Sequence, residues 1–180
     1  VCAVVRDRGR ALQARLWEDW GGSPTRTRLQ WARTENPVAT GRLHERLSGV
    51  PAQPLPTADE ELADPADAAA RYDEAIAELR ELTRADHPLL LAENIEYGFR
   101  RNMLGIRGCA LTVAGACLII AIVLLAITGR PAFALCAAIS AASLLVWSRI
   151  VTADWVRRAA DAYAEQLLAA AAHERRAIAA

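Results

Sequence analysis

The sequence predicts an all-α membrane protein: a two-helix transmembrane hairpin with cytoplasmic helices before and after it. Three observations carry this. Two long uncharged, apolar stretches follow one another, 22 residues between Arg107 and Arg130 and 18 between Arg130 and Arg149. They are joined by "TGRP", residues 128–131, a helix stop followed at once by a helix start. Arginines gather at the outer ends of the pair, whereas the turn holds only Arg130.

Composition agrees with one small helical protein. The chain has 180 residues, 53% of them hydrophobic, with 21 basic and 21 acidic side chains. Every basic residue is arginine, which together with the heavy use of alanine fits a GC-rich bacterial source. A net charge near zero gives no global field for nucleic acid, so no nucleic-acid partner is expected. Cys2, Cys109, Cys117 and Cys136 form no CxxC pair, so neither a zinc site nor a disulfide framework is suggested, and three of them read as small apolar filler. Residues 1–20 carry charges and no long apolar core, unlike a signal peptide.

Residues 1–49 read as a small helical cytoplasmic region. Leu12, Leu16 and Trp20 share one helical face, and a short helix surrounds Leu43 and Leu47. Trp17, Trp20 and Trp31 concentrate aromatic surface in a segment too small for a strong core of its own, so it is expected to dock on the other helices or on another protein. "TRTR" at 25–28 reads as a solvated basic turn. Residues 50–65 hold four of the eight prolines and read as a linker or an extended lash, with Asp59, Glu60 and Glu61 solvated within it.

Residues 66–107 are expected to form cytoplasmic helices leading into the membrane. Pro65 opens the first, with Tyr72, Ile76 and Leu79 inside it; Pro88 opens the second. Leu91, Ile95 and Phe99 fall on one face of that second helix, which should feed the first span with a bend at Gly98 or Gly105.

Residues 108–148 form the expected hairpin: a span over 108–128, a turn at 129–130 and a span over 131–148. About 20 apolar residues cross roughly 30 Å of hydrocarbon, which the first run meets and the second nearly meets, with Arg149 snorkelling. A single helix through both would place Arg130 deep in lipid, at roughly 3 kcal/mol or more. Gly129 suits the C′ position and Pro131 the N1 position. A soluble core is disfavoured because the rest of the chain has too few apolar residues to cover both helices. Arg100, Arg101 and Arg107 precede the pair and Arg149, Arg157 and Arg158 follow it, so both termini should be cytoplasmic. Arg107, Trp147 and Arg149 are then the interface anchors.

The spans contain no Asp, Glu, His or internal Arg, which argues against ion-coupled transport through this pair alone. Ala134, Ala138 and Ala142 make a small-residue stripe, and Ala137 with Ala141 a neighbouring one. Such stripes let helices approach closely in lipid, either within the chain through Gly115 or between copies. Ser140 and Ser143 could line water in an assembly or bond to their own helix. Two spans cannot enclose a pore, so a channel would need several copies.

Residues 149–180 contain no Pro or Gly and read as a C-terminal cytoplasmic helix continuous with the second span. Val151, Trp155, Ala159, Ala162 and Gln166 follow three- and four-residue steps with Tyr163 and Leu167 alongside, and Trp155, Ala159 and Tyr163 are the expected packing residues. Helices 66–85 and 151–170 are expected to pack together. His44, His87 and His173 lie far apart; His44 and His173 read as solvated positions and His87 as a turn residue. With no catalytic triad, phosphate loop or dinucleotide fingerprint, neither enzyme activity nor a cofactor or metal is expected.

The order of elements, with "DWVRRAADAYAEQL" at Asp154–Leu167 after the hairpin, resembles the SLATT family of bacterial two-transmembrane domains over roughly residues 88–170. Trp155, Arg157 and Glu165 occupy places comparable to that family's Trp, Arg and Glu-containing apolar stretch. The resemblance implies an oligomeric effector of a bacterial conflict system that breaches the inner membrane when an upstream sensor fires. Expected partners are therefore membrane lipid, further copies of the chain and a cytosolic sensor or enzyme. The alternative is a passive membrane scaffold that recruits a cytosolic partner through its N-terminal region.

Overall fold

The structure is a computed structural model that describes residues 2–83 and 87–178. Residues 1, 84–86 and 179–180, and the side chains of Cys2 and of residues 171–178, His173 among them, lie outside what it describes. Among the described residues the regular structure is all helical, with no strand. Eight α-helices follow in order: α1 (Cys2–Trp20), α2 (Pro24–Leu29), α3 (Pro37–Leu47), α4 (Ala58–Ala63), α5 (Pro65–Leu82), α6 (Pro88–Thr128), α7 (Pro131–Arg149) and α8 (Ala153–Ile178), with a 3-10 turn at Trp31–Arg33.

Local chemistry sets most boundaries. Pro24, Pro37, Pro65, Pro88 and Pro131 each stand at a helix start, where the missing N–H costs nothing. Ser23, Asn36 and Asp64 accept from the first-turn N–H groups of α2, α3 and α5. Thr57 and Glu60 form a reciprocal capping box on α4.

The chain divides into two compact units, residues 15–97 with 158–180 and residues 1–14 with 98–157. The first is a helical module. Its core joins Leu29 and Leu47 to Tyr72, Ile76 and Leu79 of α5, Leu90 of α6, and Leu167 and Leu168 of α8. The expected association of helices 66–85 and 151–170 is therefore present in the described residues. Leu16 and Trp20 of α1 are buried as their spacing predicts.

Several expectations are corrected here. The proline-rich segment is no linker: Pro51 and Pro56 are buried, Val50 and Leu55 pack on the core, and Glu78 and Arg71 bond its backbone at Ala52 and Pro54. "TRTR" is four of the six residues of α2; its arginines pair with Asp73 at 2.9 Å and Glu165 at 3.7 Å. Leu91, Ile95 and Phe99 share a face that is 59%, 62% and 52% exposed, whereas Leu90 and Tyr97 point inward. The shielded residues of α8 in this unit are Ala159, Ala160, Ala164, Leu167 and Leu168: Ala159 and Leu167 are buried as expected, whereas Ala162 and Gln166 are half-buried, because Leu167–Leu168 supply more apolar area.

The second unit holds the two apolar helices. α6 and α7 are the described helices long and apolar enough to cross a membrane. α6 is one helix of 41 residues, with no break in its helical run at Gly98 or Gly105. It ends as expected: Gly129 adopts φ +65° and its N–H returns 2.8 Å to the Leu125 carbonyl. α7 and α8 are not continuous. α7 stops at Arg149, and Thr152 restarts the chain by accepting the Trp155 N–H at 3.2 Å.

In this unit the front half of α1 lies antiparallel on α6. Gln13 bonds Arg101, Gly9 abuts Asn102 and Gly105, and Arg8 donates to the Cys109 sulfur at 2.7 Å. A Cβ on Gly105 would stand 2.9 Å from the Gly9 nitrogen, so this crossing requires glycine.

Candidate functional site

Two constellations stand out, one in each unit. In the helical module, Glu61 is 6% exposed despite its charge. The α4 capping box orients the short helix so that Glu61 turns inward while Asp59 and Glu60 face water. Its carboxylate accepts the Trp31 N–H at 2.8 Å and the Ala32 N–H at 3.0 Å, at the start of the 3-10 turn. It also accepts the Tyr72 hydroxyl at 2.8 Å. Three donors converging on one buried carboxylate supply what a charge needs when it leaves water.

His44 completes the group. Its Nε2 lies 2.8 Å from the Leu29 carbonyl, and its ring centroid is 4.8 Å from that of Trp31 and 6.0 Å from that of Tyr72. The Trp31 indole donates to the Pro56 carbonyl at 3.0 Å. Burial holds His44 below the ordinary histidine range. Burial, reinforced by the Glu61 carboxylate, pushes the Tyr72 hydroxyl up, so it remains a donor. The group thus ties together the 3-10 turn, α3, α4 and α5. The reading of His44 and Glu61 as solvated is corrected: their partners lie 11 to 30 residues away in the chain, beyond any local pattern.

In the other unit, Arg107 reaches the end of α7. Its Nε donates to the Trp147 carbonyl and its Nη2 to the Ser148 carbonyl, both at 3.0 Å. Last-turn carbonyls have no partner within their own helix, so a guanidinium there satisfies two of them and meets the negative end of the helix dipole. Trp155 is held from α6: Arg100 donates to its carbonyl at 3.1 Å with the guanidinium 5.0 Å from the ring, and Phe99 approaches edge-on at 6.4 Å.

Arg107 and Trp147 are thus brought together, while Arg149 is exposed. Ala134, Ala138 and Ala142 are exposed; Ser140 and Ser143 are half-buried. Gly115 is half-buried, and a Cβ there would meet no atom within 4 Å. Trp155 belongs to one unit, whereas buried Ala159 and half-buried Tyr163 belong to the other, Tyr163 stacking on Tyr97 at 6.4 Å. Among the described residues no three His, Cys, Asp or Glu side chains converge as metal ligands would. No protein-family model, curated protein or solved structure matches the chain.

Proposed function

We propose that the chain is an integral protein of a bacterial inner membrane that holds a helical module at the cytoplasmic surface. α6 and α7 cross the bilayer as an antiparallel hairpin, turn at Gly129–Arg130 on the outer side, and leave both ends inside.

One observation carries this reading: the apolar helices stay uncovered. Of the most apolar 18-residue window of each, 11% is buried in α6 and none in α7. Val113, Ile119, Ile120 and Ile127 of α6 and Leu135, Ile139 and Leu145 of α7 are all at least half exposed. Continuous apolar surface of this extent is not sustained in water and is at home in lipid. The Arg107 clamp on the end of α7 supports the antiparallel arrangement. The arginine excess at the end opposite Arg130 supports the orientation.

The helical module, tied by Glu61, is on this reading the part that meets a cytosolic partner. The second reading is an oligomeric, pore-forming or membrane-disrupting effector of a defence system. It draws on the exposed Ala134–Ala138–Ala142 stripe and on the resemblance to the SLATT family.

The anchoring claim predicts that the expressed chain stays in the membrane pellet through alkaline carbonate and is released by detergent. Release by carbonate alone would refute it. Dye leakage from vesicles bearing the chain would move the account to the second reading.

A further inference from the structure

We propose that the N-terminal helix α1 is a third membrane-contacting element, which binds the phosphates of anionic phospholipids through Arg6, Arg8 and Arg10. The inference rests on the membrane reading of α6 and α7.

The contacts set the position. Gln13 meets Arg101, Gly9 meets Gly105 and Arg8 meets Cys109, so α1 runs antiparallel to α6 with its front end toward the apolar run. The register places Arg6, Arg8 and Arg10 beside residues 104–109, the level at which Arg107 holds the end of α7 and charge gives way to the uncharged run. The residues before Arg6, Ala3, Val4 and Val5, come alongside the first turns of that run. Val4 is 58% exposed, which suits contact with lipid tails. All three arginines are exposed. Arg8 spends one N–H on the Cys109 sulfur and keeps the others for phosphate oxygens.

The charge distribution points the same way. The whole chain is neutral, but residues 1–14 with 98–157 hold nine arginines against two acidic residues, Asp7 and Asp154. Of those nine, Arg130 alone lies at the far turn. A cluster of arginines at the cytoplasmic foot of a span attracts acidic headgroups, each adding severalfold to the preference. Guanidinium rather than ammonium suits bidentate phosphate contact.

The test uses the full chain in nanodiscs of equal phosphatidylcholine and phosphatidylglycerol. The protein is then stripped in mild detergent and its retained lipids are counted by native mass spectrometry. Retention of phosphatidylglycerol over phosphatidylcholine by about tenfold is expected. Arg6, Arg8 and Arg10 changed together to Gln should bring the ratio toward one; changed to Lys they should keep most of it. Gly105→Leu, which pushes α1 off α6, should lower the ratio with the arginines intact. Insertion without a phosphatidylglycerol preference, or a preference unmoved by the Gln triple, overturns the proposal and leaves the hairpin standing. Failure to insert at all overturns both.

Discussion

Glu61→Ala is expected to destabilise the helical module by about 3 kcal/mol. Alanine leaves the Trp31 and Ala32 N–H groups and the Tyr72 hydroxyl without their acceptor. An orphaned donor costs about 1–3 kcal/mol, more when the lost partner was charged. In a protein of this size that corresponds to a melting temperature lower by roughly 10 °C, read by circular dichroism in detergent. Glu61→Gln should fall between, since its amide turns one acceptor into a donor facing other donors.

The same melts carry a pH signature. His44 is held below the ordinary value of 6.5, so the folded state prefers its neutral form. Its contribution is complete above about pH 6.5 and fades as the pH falls below that, because the unfolded chain takes up the proton first. Stability should therefore drop between neutral pH and pH 5, and His44→Gln should flatten that slope. An unchanged melt in Glu61→Ala would mean that the four segments are held by apolar packing alone.

Arg107→Leu is expected to free the end of α7. It removes both hydrogen bonds to the Trp147 and Ser148 carbonyls and returns two unsatisfied acceptors to the boundary of an apolar helix. Charge-assisted bonds of this kind are worth about 1.5–3 kcal/mol, so amide exchange in the last turn of α7 should accelerate by tenfold or more. Arg107→Lys can reach one carbonyl at a time and should recover part of the protection. Exchange no faster than in the wild type would show that α7 ends where it does without the clamp.

What was legible in the sequence is what neighbouring residues decide. Gly129 and Pro131 end one helix and begin the next as their backbone preferences require. Leu16 and Trp20 turn inward together because they sit four residues apart on one helix. Pro65 and Pro88 open helices where expected. The stop at Arg149 was also signalled locally, by Thr152 as a cap with Asp154 in the first turn, but the absence of Pro and Gly masked it.

What was not legible depends on partners far along the chain. Glu61 sits among exposed acids, and only the donors of Trp31, Ala32 and Tyr72 make its burial tolerable. Pro56 reads as linker until the Trp31 indole bonds its carbonyl. The crossing of α1 on α6 pairs Gly9 with Gly105 across 95 intervening residues, and neither glycine announces it. On α8, spacing finds Ala159 and Leu167 but not Leu168, because it weighs Ala162 and Leu168 equally, whereas burial favours the larger apolar side chain. On α7, spacing singled out Ala134, Ala138 and Ala142 as a packing face, yet within one chain they stay exposed.

The account turns on two membrane-crossing helices with both chain ends on one side, and impermeant thiol labelling tests that most directly. In a cysteine-free background, single cysteines replace exposed Val38, Arg130 and Ala153, which lie before, between and after the apolar helices. In intact spheroplasts Arg130→Cys should react with a membrane-impermeant maleimide, and Val38→Cys and Ala153→Cys should react only once the membrane is opened. Reaction of Val38→Cys and Ala153→Cys from opposite sides would contradict the account.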